Sequence, residues 1–192
     1  MKNLLIISGH PSKQSFCAAL AKSYLDGALE GGADVKYLEL GELKFDPILH
    51  LGYKGEQELE PDLAEAQRLI KWADHIVFVY PTWWGSIPAL LKGFLDRVFL
   101  PGFAFKYKEN SQFWDKYLKG KTARLIVTMD APIWYDRLFY GAASRRAVKR
   151  ATLEFCGIKP VKITAFGSVK FADETKRRNW LEKVRILGTE LR

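Results

Sequence analysis

Cysteine is nearly absent: Cys17 and Cys156 are the only two in 192 residues, and they stand too far apart for a CxxC pair. That excludes a disulfide-stapled scaffold, and single cysteines of this kind read as small buried apolar residues of a chain kept in a reducing cytoplasm. Histidine is scarce too, and His10, His50 and His75 have no ligand spacing with one another or with the cysteines, so no metal centre is expected. The GxGxxG fingerprint and the GxxxxGK[ST] loop are both missing, which removes the strongest support for dinucleotide or nucleoside triphosphate binding. Long hydrophobic runs are missing as well. The longest uncharged stretch, 76–91, is broken by Pro81, Gly85 and Pro88 and falls short of the about 20 apolar residues of a spanning helix. The apolar run 4–7 is too short for a signal-peptide core. Neither a membrane span nor secretion is expected.

What is present is aromatic and basic, in different places. Of the aromatic residues, 13 lie between Trp72 and Tyr117. From Arg137 onward Lys and Arg outnumber Asp and Glu by 14 to 5, whereas the first 136 residues are close to neutral. Apolar residues make up 48% and charged residues 27%, the proportions of an ordinary globular chain. The length suits a single domain spanning residues 1–192.

Residues 4–7 form a short β-prone run that ends in a turn, after which Ser15 can cap a helix with Ala18, Leu20, Ala21, Tyr24, Leu25 and Ala28 on its apolar side. Strands are expected at 35–40, 75–80, 123–129 and 161–166, and helices at 62–72, 89–99, 137–156 and 173–191, the third of these ending at Gly157. The run 75–80 is continuously apolar, as in strands buried on both faces of a parallel sheet. Alternating strands and helices predict an open parallel α/β sheet with helices on both faces. The stretches 41–61 and 101–121 read as long loops, which are commonly functional. Phe94 and Phe99 read as core, and Lys92, Asp96 and Arg97 as a surface ion-pair set.

In such a sheet, ligands bind beyond the carboxyl ends of the strands where strand order reverses. Three segments converge there: 9–17, 81–88 and 128–135. The first supplies His10, Ser12, Ser15 and the free N–H groups of a helix start, which suits a phosphate; the alternative is that Ser15 is only an N-cap and His10 a turn residue. The second, Tyr80-Pro81-Thr82-Trp83-Trp84-Gly85-Ser86-Ile87-Pro88, has two adjacent tryptophans restrained by two prolines and a glycine. Flat apolar walls beside backbone polar groups suit a planar heterocycle; the alternative is that the tryptophans plug the sheet end or a subunit contact.

The run from Pro81 to Phe99, Pro-x-x-Trp-x-x-x-Pro-Ala-Leu-Leu-Lys-Gly-Phe-Leu-Asp-Arg-Val-Phe, followed by Gly102-Phe103-Ala104-Phe105, resembles the signature of the NAD(P)H:quinone oxidoreductases of the flavodoxin-like fold. Gly9-His10-Pro11 with Ser15-Phe16, and Phe155-Cys156-Gly157, fit the same family. The resemblance implies a flavodoxin-like three-layer sandwich with a five-stranded parallel sheet of order 2-1-3-4-5. It also implies a non-covalent flavin, and the function of a flavin-dependent NAD(P)H oxidoreductase. Hydride would pass from NAD(P)H through the flavin to a quinone-like acceptor in a ping-pong sequence. FMN is preferred, because no extra segment is set aside for an adenine, with FAD as the alternative. By the same resemblance His10, Ser15, Phe16 and Cys17 hold the flavin phosphate. Pro81, Thr82, Trp83, Trp84 and Gly85 line the isoalloxazine ring, and Thr128 and Met129 its other edge. A homodimer is implied, with the aromatic loop 103–117 at its interface.

The sequence departs from the family in one place. Where a tyrosine and a histidine implicated in hydride transfer are expected, it reads Asp130-Ala131-Pro132-Ile133-Trp134-Tyr135 with no later histidine. Tyr135 stands near the tyrosine position and is the candidate catalytic residue, with water as the other proton source. Two other functions stay open: an electron carrier of flavodoxin type, which the basic charge argues against, and a flavin-binding regulatory subunit of an ion-transport system. Nucleic-acid binding through Arg145, Arg146, Lys149 and Arg150 or Lys176, Arg177 and Arg178 lacks any accompanying motif and is not expected.

Overall fold

The computed structural model describes residues 2–191; Arg192, the last residue of the basic third, lies outside them. Strands β1 (Asn3–Ser8), β2 (Asp34–Glu39) and β3 (His75–Pro81) alternate with helices α1 (Phe16–Glu30) and α2 (Pro61–Trp72). Then come α3 (Ala89–Val98), the short strands β4 (Phe105–Tyr107) and β5 (Trp114–Lys116), and β6 (Thr122–Thr128). Helices α4 (Ile133–Phe139) and α5 (Ala143–Arg146), a π-helical continuation (Ala147–Glu154), β7 (Val161–Phe166) and α6 (Glu174–Thr189) complete the chain. The main sheet has order β2-β1-β3-β6-β7 with every pairing parallel. This is the expected 2-1-3-4-5 order once the hairpin β4–β5 is set aside.

Local chemistry explains the elements. Every residue of β3 is buried, which is why its sequence runs apolar without alternation. The Ser15 side chain accepts from Ala18 N at 3.1 Å and starts α1, Asp173 does the same for α6 from Lys176 N, and Pro61 opens α2. One face of the sheet is covered by α1 and α6, the other by α2, α3 and the π-helical segment, with apolar side chains filling both interfaces. Phe94 and Phe99 are in the second of these cores, as the helical spacing predicts. Among the described residues no helix is long and apolar enough to cross a membrane.

Three expectations are corrected. The single helix 137–156 is broken: α4 begins four residues earlier, and Gly141 and Ala142 are both left-handed, at φ 59° and 53°. The break is held by Asp136, whose carbonyl accepts from both Tyr140 N and Ala142 N. Within 101–121, two three-residue strands pair around a turn in which Asn110 is left-handed. Arg97 is not on the surface but fully buried in α3. Its guanidinium bonds the carbonyls of Asp46 and Glu58 and the Glu60 carboxylate, so it pins the loop 43–60 from beneath. Gly93 allows that loop to lie down, since a Cβ there would be 2.3 Å from Pro47 Cβ. Lys92 and Asp96 do form the exposed pair.

Candidate active site

The carboxyl ends of β1, β3 and β6 open into a cleft of about 160 Å³ at the switch point between β1 and β3. It is lined by His10, Ser15, Phe16, Cys17, Pro81, Thr82, Trp83, Thr128 and Met129 of the expected set, and also by Asp130 and Val169. Trp84 and Gly85 stand beyond it on the same turn, and Tyr135 lies on α4, outside the lining. Asp130 and Val169 were not singled out from the sequence. Asp130 follows Met129 directly and was within reach, whereas Val169 comes from the loop after β7 and is brought in by its N–H bond to Met129 O.

At the α1 side, Ser15 is an N-cap, so its hydroxyl is already engaged. This agrees with the plainer reading of that residue and does not remove the anion site. Ser15 caps only one of the early helix N–H groups, and among the described residues those of Phe16 and Cys17 have no protein acceptor. His10 Nδ1 accepts from Ser12 N at 2.9 Å, which leaves the neutral ring's proton on Nε2. Burial lowers the His10 pKa, so the ring is mainly neutral near pH 7. It meets Trp83 edge-on at 5.4 Å. Cys17 Sγ lies 3.1 Å from Thr128 Oγ1 at the cleft floor, and burial raises its thiol to about 12. A thiol of that pKa is no nucleophile at neutral pH.

The β3 side ends in an unusual turn. Trp83 N and Ser86 O are 3.0 Å apart, and Ser86 N and Trp83 O 2.9 Å apart. The two residues between, Trp84 at φ 50° and Gly85 at φ 68°, are both left-handed. This is a two-residue turn of type I′, for which Asn-Gly is the preferred pair. Tryptophan in that first position is strained, and Trp84 is completely exposed. Its N–H and that of Gly85 have no protein acceptor among the described residues. The turn is anchored by Thr82, whose N–H donates to Thr128 O at 2.7 Å.

A phosphate-sized cleft at a helix start, beside a turn offering free N–H groups and an exposed indole, is the site geometry of a nucleotide-like planar ligand. A family model described as flavodoxin-like fold matches residues 2–186. The chain is 31% identical to an uncharacterized NAD(P)H oxidoreductase of Haemophilus influenzae, over 94% of this chain and 91% of that one. The chain belongs to the flavodoxin-like NAD(P)H:quinone oxidoreductase family. It is therefore an enzyme, an oxidoreductase of the NAD(P)H dehydrogenase (quinone) type. Human ribosyldihydronicotinamide dehydrogenase [quinone] is 27% identical over 98% of this chain and 93% of its own. The solved NAD(P)H:quinone oxidoreductase of Methanothermobacter marburgensis superposes with a TM-score of 0.81 at 25% identity, covering 99% of this chain and 96% of that one.

No histidine follows Tyr135 in the sequence, the last being His75. Tyr135 stacks on Phe139 at 4.5 Å and meets Tyr140 edge-on at 5.4 Å. The charge and hydroxyl of Tyr135 raise the phenol pKa of Tyr140. A groove of about 600 Å³ begins at Phe166–Ser168, next to Val169, and is walled by Trp134, Arg137, Lys176 and Trp180. Part of the basic third thus lines this neighbouring groove. A few of its other cations are paired with carboxylates, as in Arg145–Asp136, Lys149–Glu154 and Arg185–Glu30.

Proposed function

We propose that this chain binds FMN and transfers hydride from NAD(P)H through it to a quinone-like acceptor in a ping-pong sequence. The observation that carries the reading is that free backbone donors stand on both sides of the β1–β3 switch point, at Phe16–Cys17 in the cleft and at Trp84–Gly85 on the turn that brings Trp83 into it. The donor set fits the group. Helix-start N–H groups suit a phosphate dianion, and the free N–H groups of the turn suit negative charge that develops on a bound ring during hydride uptake. A cleft of about 160 Å³ takes the phosphate and its chain. It is below the roughly 300–1,000 Å³ of a site enclosing a drug-sized ligand, so the ring would lie outside it, along Trp83–Gly85.

Bound flavin supplies the two-electron chemistry: hydride acceptance from a nicotinamide and delivery to an acceptor taking its place. The protein's part is to hold the rings in contact, keep His10 neutral and keep Cys17 protonated. Hydride transfer needs stacking and proximity more than a protein acid. Tyr135 is the candidate proton donor to the acceptor, and water is the other.

FAD is the second reading, and one observation favours it. The groove walled by Trp134, Trp180, Arg137 and Lys176 neighbours the cleft through the adjacent residues Ser168 and Val169, and it has the flat and cationic surfaces an adenosine phosphate would use. A homodimer is also proposed. Trp84, Phe113, Trp134, Leu138 and Phe139 are exposed, and aromatic side chains of this kind are favoured in interface cores. The two buried free thiols are compatible with a reducing cytoplasm as the setting.

The decisive experiment is anaerobic addition of NADH or NADPH to flavin-loaded protein. The visible absorbance of the oxidised flavin is expected to disappear and to return when a quinone is added. If it persists, the protein is no NAD(P)H oxidase of any acceptor. Heat release and chromatography of the flavin separate FMN from FAD, and sedimentation equilibrium tests the dimer.

A further inference from the structure

One group of buried polar side chains takes no part in the chemistry above. Asp136 and Arg145 form an ion pair whose side chains are only 2% and 12% exposed. Ser144, next in the chain, is buried, and its hydroxyl lies 3.0 Å from that of Thr82. The fully buried Tyr80 phenol belongs to the same cluster: burial raises its pKa, and the Ser144 hydroxyl and Arg145 charge partly offset this. Asp136 also fixes the break between α4 and α5 through its backbone carbonyl, which accepts from Tyr140 N and Ala142 N. One residue thereby sets both the left-handed break and the ion pair that follows it, and the two together bring Ser144 against Thr82.

Thr82 is the last residue before the Trp83–Ser86 turn. Its N–H is tied to Thr128 in the sheet and its hydroxyl to Ser144, so the strained turn leaves the sheet from a residue fixed at two points. Buried ion pairs contribute little net stability, and their best-attested use is to select one arrangement among several. Strain such as that at Trp84 persists only where its surroundings over-determine it.

We propose that Ser144, set in place by the Asp136–Arg145 pair, is a positioning residue whose hydroxyl fixes Thr82 and with it the turn through Ser86. The importance of this for function rests on the reading of that turn as the wall of the flavin ring.

The test has two arms. In flavin-free protein, hydrogen exchange of the Trp83 and Ser86 amides reads the turn directly. It is expected to speed up by about tenfold in Ser144→Ala and in Thr82→Val, and to stay near wild type in Thr82→Ser, which keeps the hydroxyl. Arg145→Lys, which keeps the charge but not the reach and planar geometry of the guanidinium that meets Asp136, is expected to speed it by about threefold. In the second arm, FMN is titrated by fluorescence quenching. Ser144→Ala and Thr82→Val should each weaken binding about tenfold, and the double variant no more than either alone. Unchanged exchange in Ser144→Ala, or fully additive losses in the double variant, overturns the proposal. If wild-type protein binds no FMN, the functional reading fails while the exchange arm still decides the positioning role.

Discussion

Arg97 Nη2 lies 2.8 Å from Glu60 Oε2, and the guanidinium that makes this contact is wholly shut off from water while its partner is 29% exposed. A charge at the centre of an apolar helix face is tolerable only because carbonyls and a carboxylate surround it. Burial works against ionisation of Glu60, but the N–H groups of Asp46 and of Glu60 itself, together with Arg97, outweigh it and lower the pKa. The contribution of this carboxylate is complete above pH 4.5 and is lost as the pH falls through its lowered folded value.

Arg97→Met is therefore expected to destabilise the protein by about 3 kcal/mol, because it removes one partner and leaves the other group half-desolvated. For a chain of this size that is a fall in Tm of about 6–12 °C. Thermal unfolding measures it, and limited proteolysis should show new cleavage confined to 43–60. An unchanged Tm would mean that the loop does not depend on this contact.

Trp84→Asn should move stability and binding in opposite directions. Asparagine tolerates the left-handed conformation that tryptophan occupies with strain, and Trp84 makes no buried contact to lose. A gain of about 1 kcal/mol is expected in the flavin-free protein, together with a loss of FMN affinity as the flat wall disappears. Parallel thermal melts and flavin titrations check it. A variant less stable than wild type would show that Trp84 is held by packing the turn requires.

These two residues show what the sequence could and could not convey. Trp84 stood out because tryptophan pairs are rare in a strand-to-helix connection, and its neighbours Pro81 to Trp83 do converge with His10, Cys17 and Thr128. Arg97 looked like any cation beside the Lys92–Asp96 pair on a helix, since the carbonyls that bury it belong to residues about 40 to 50 positions away. The break at Gly141–Ala142 was hidden for a similar reason. No proline marks it, helical spacing continues on both sides, and what holds it is the Asp136 carbonyl, which accepts from Tyr140 N and Ala142 N, together with the Asp136–Arg145 pair across the gap. The hairpin β4–β5 did carry a signal, Phe-Lys-Tyr and Trp-Asp-Lys around Asn110-Ser111, but three-residue strands fall below what alternation can establish.

Neither cysteine should react in the native state. Burial raises the Cys17 thiol to about 12, against a smaller opposing effect of Thr128, and raises Cys156 likewise to about 12, with Lys116 opposing. Both side chains are almost fully inaccessible. A thiol-specific chromogenic reagent should find no reactive group at pH 7.5 in native protein and both on addition of denaturant. Fast labelling of either one without denaturant would reveal an opening that exposes its helix.

His75 makes the protein's acid stability a local property of the start of β3. The ring is buried, its Nδ1 lies 2.6 Å from Thr122 Oγ1, and its Nε2 has no partner among the described residues. Burial first, and then the charges of Arg124, Lys2 and Lys162, lower its pKa from 6.5 to about 4. Between those values the unfolded chain binds a proton that the folded chain refuses, so stability rises with pH. The contribution is whole above pH 6.5 and is lost as the pH falls towards 4. Between pH 7 and pH 5 the loss from this residue alone is about 2 kcal/mol. His75→Gln removes that titration, and its stability should fall less across that window, keeping only the part that His10, whose pKa is also lowered, contributes, while the lowered Glu60 still holds its charge. Urea unfolding of both proteins at pH 7, 6 and 5 measures the difference. Equal slopes would place the acid sensitivity in another group.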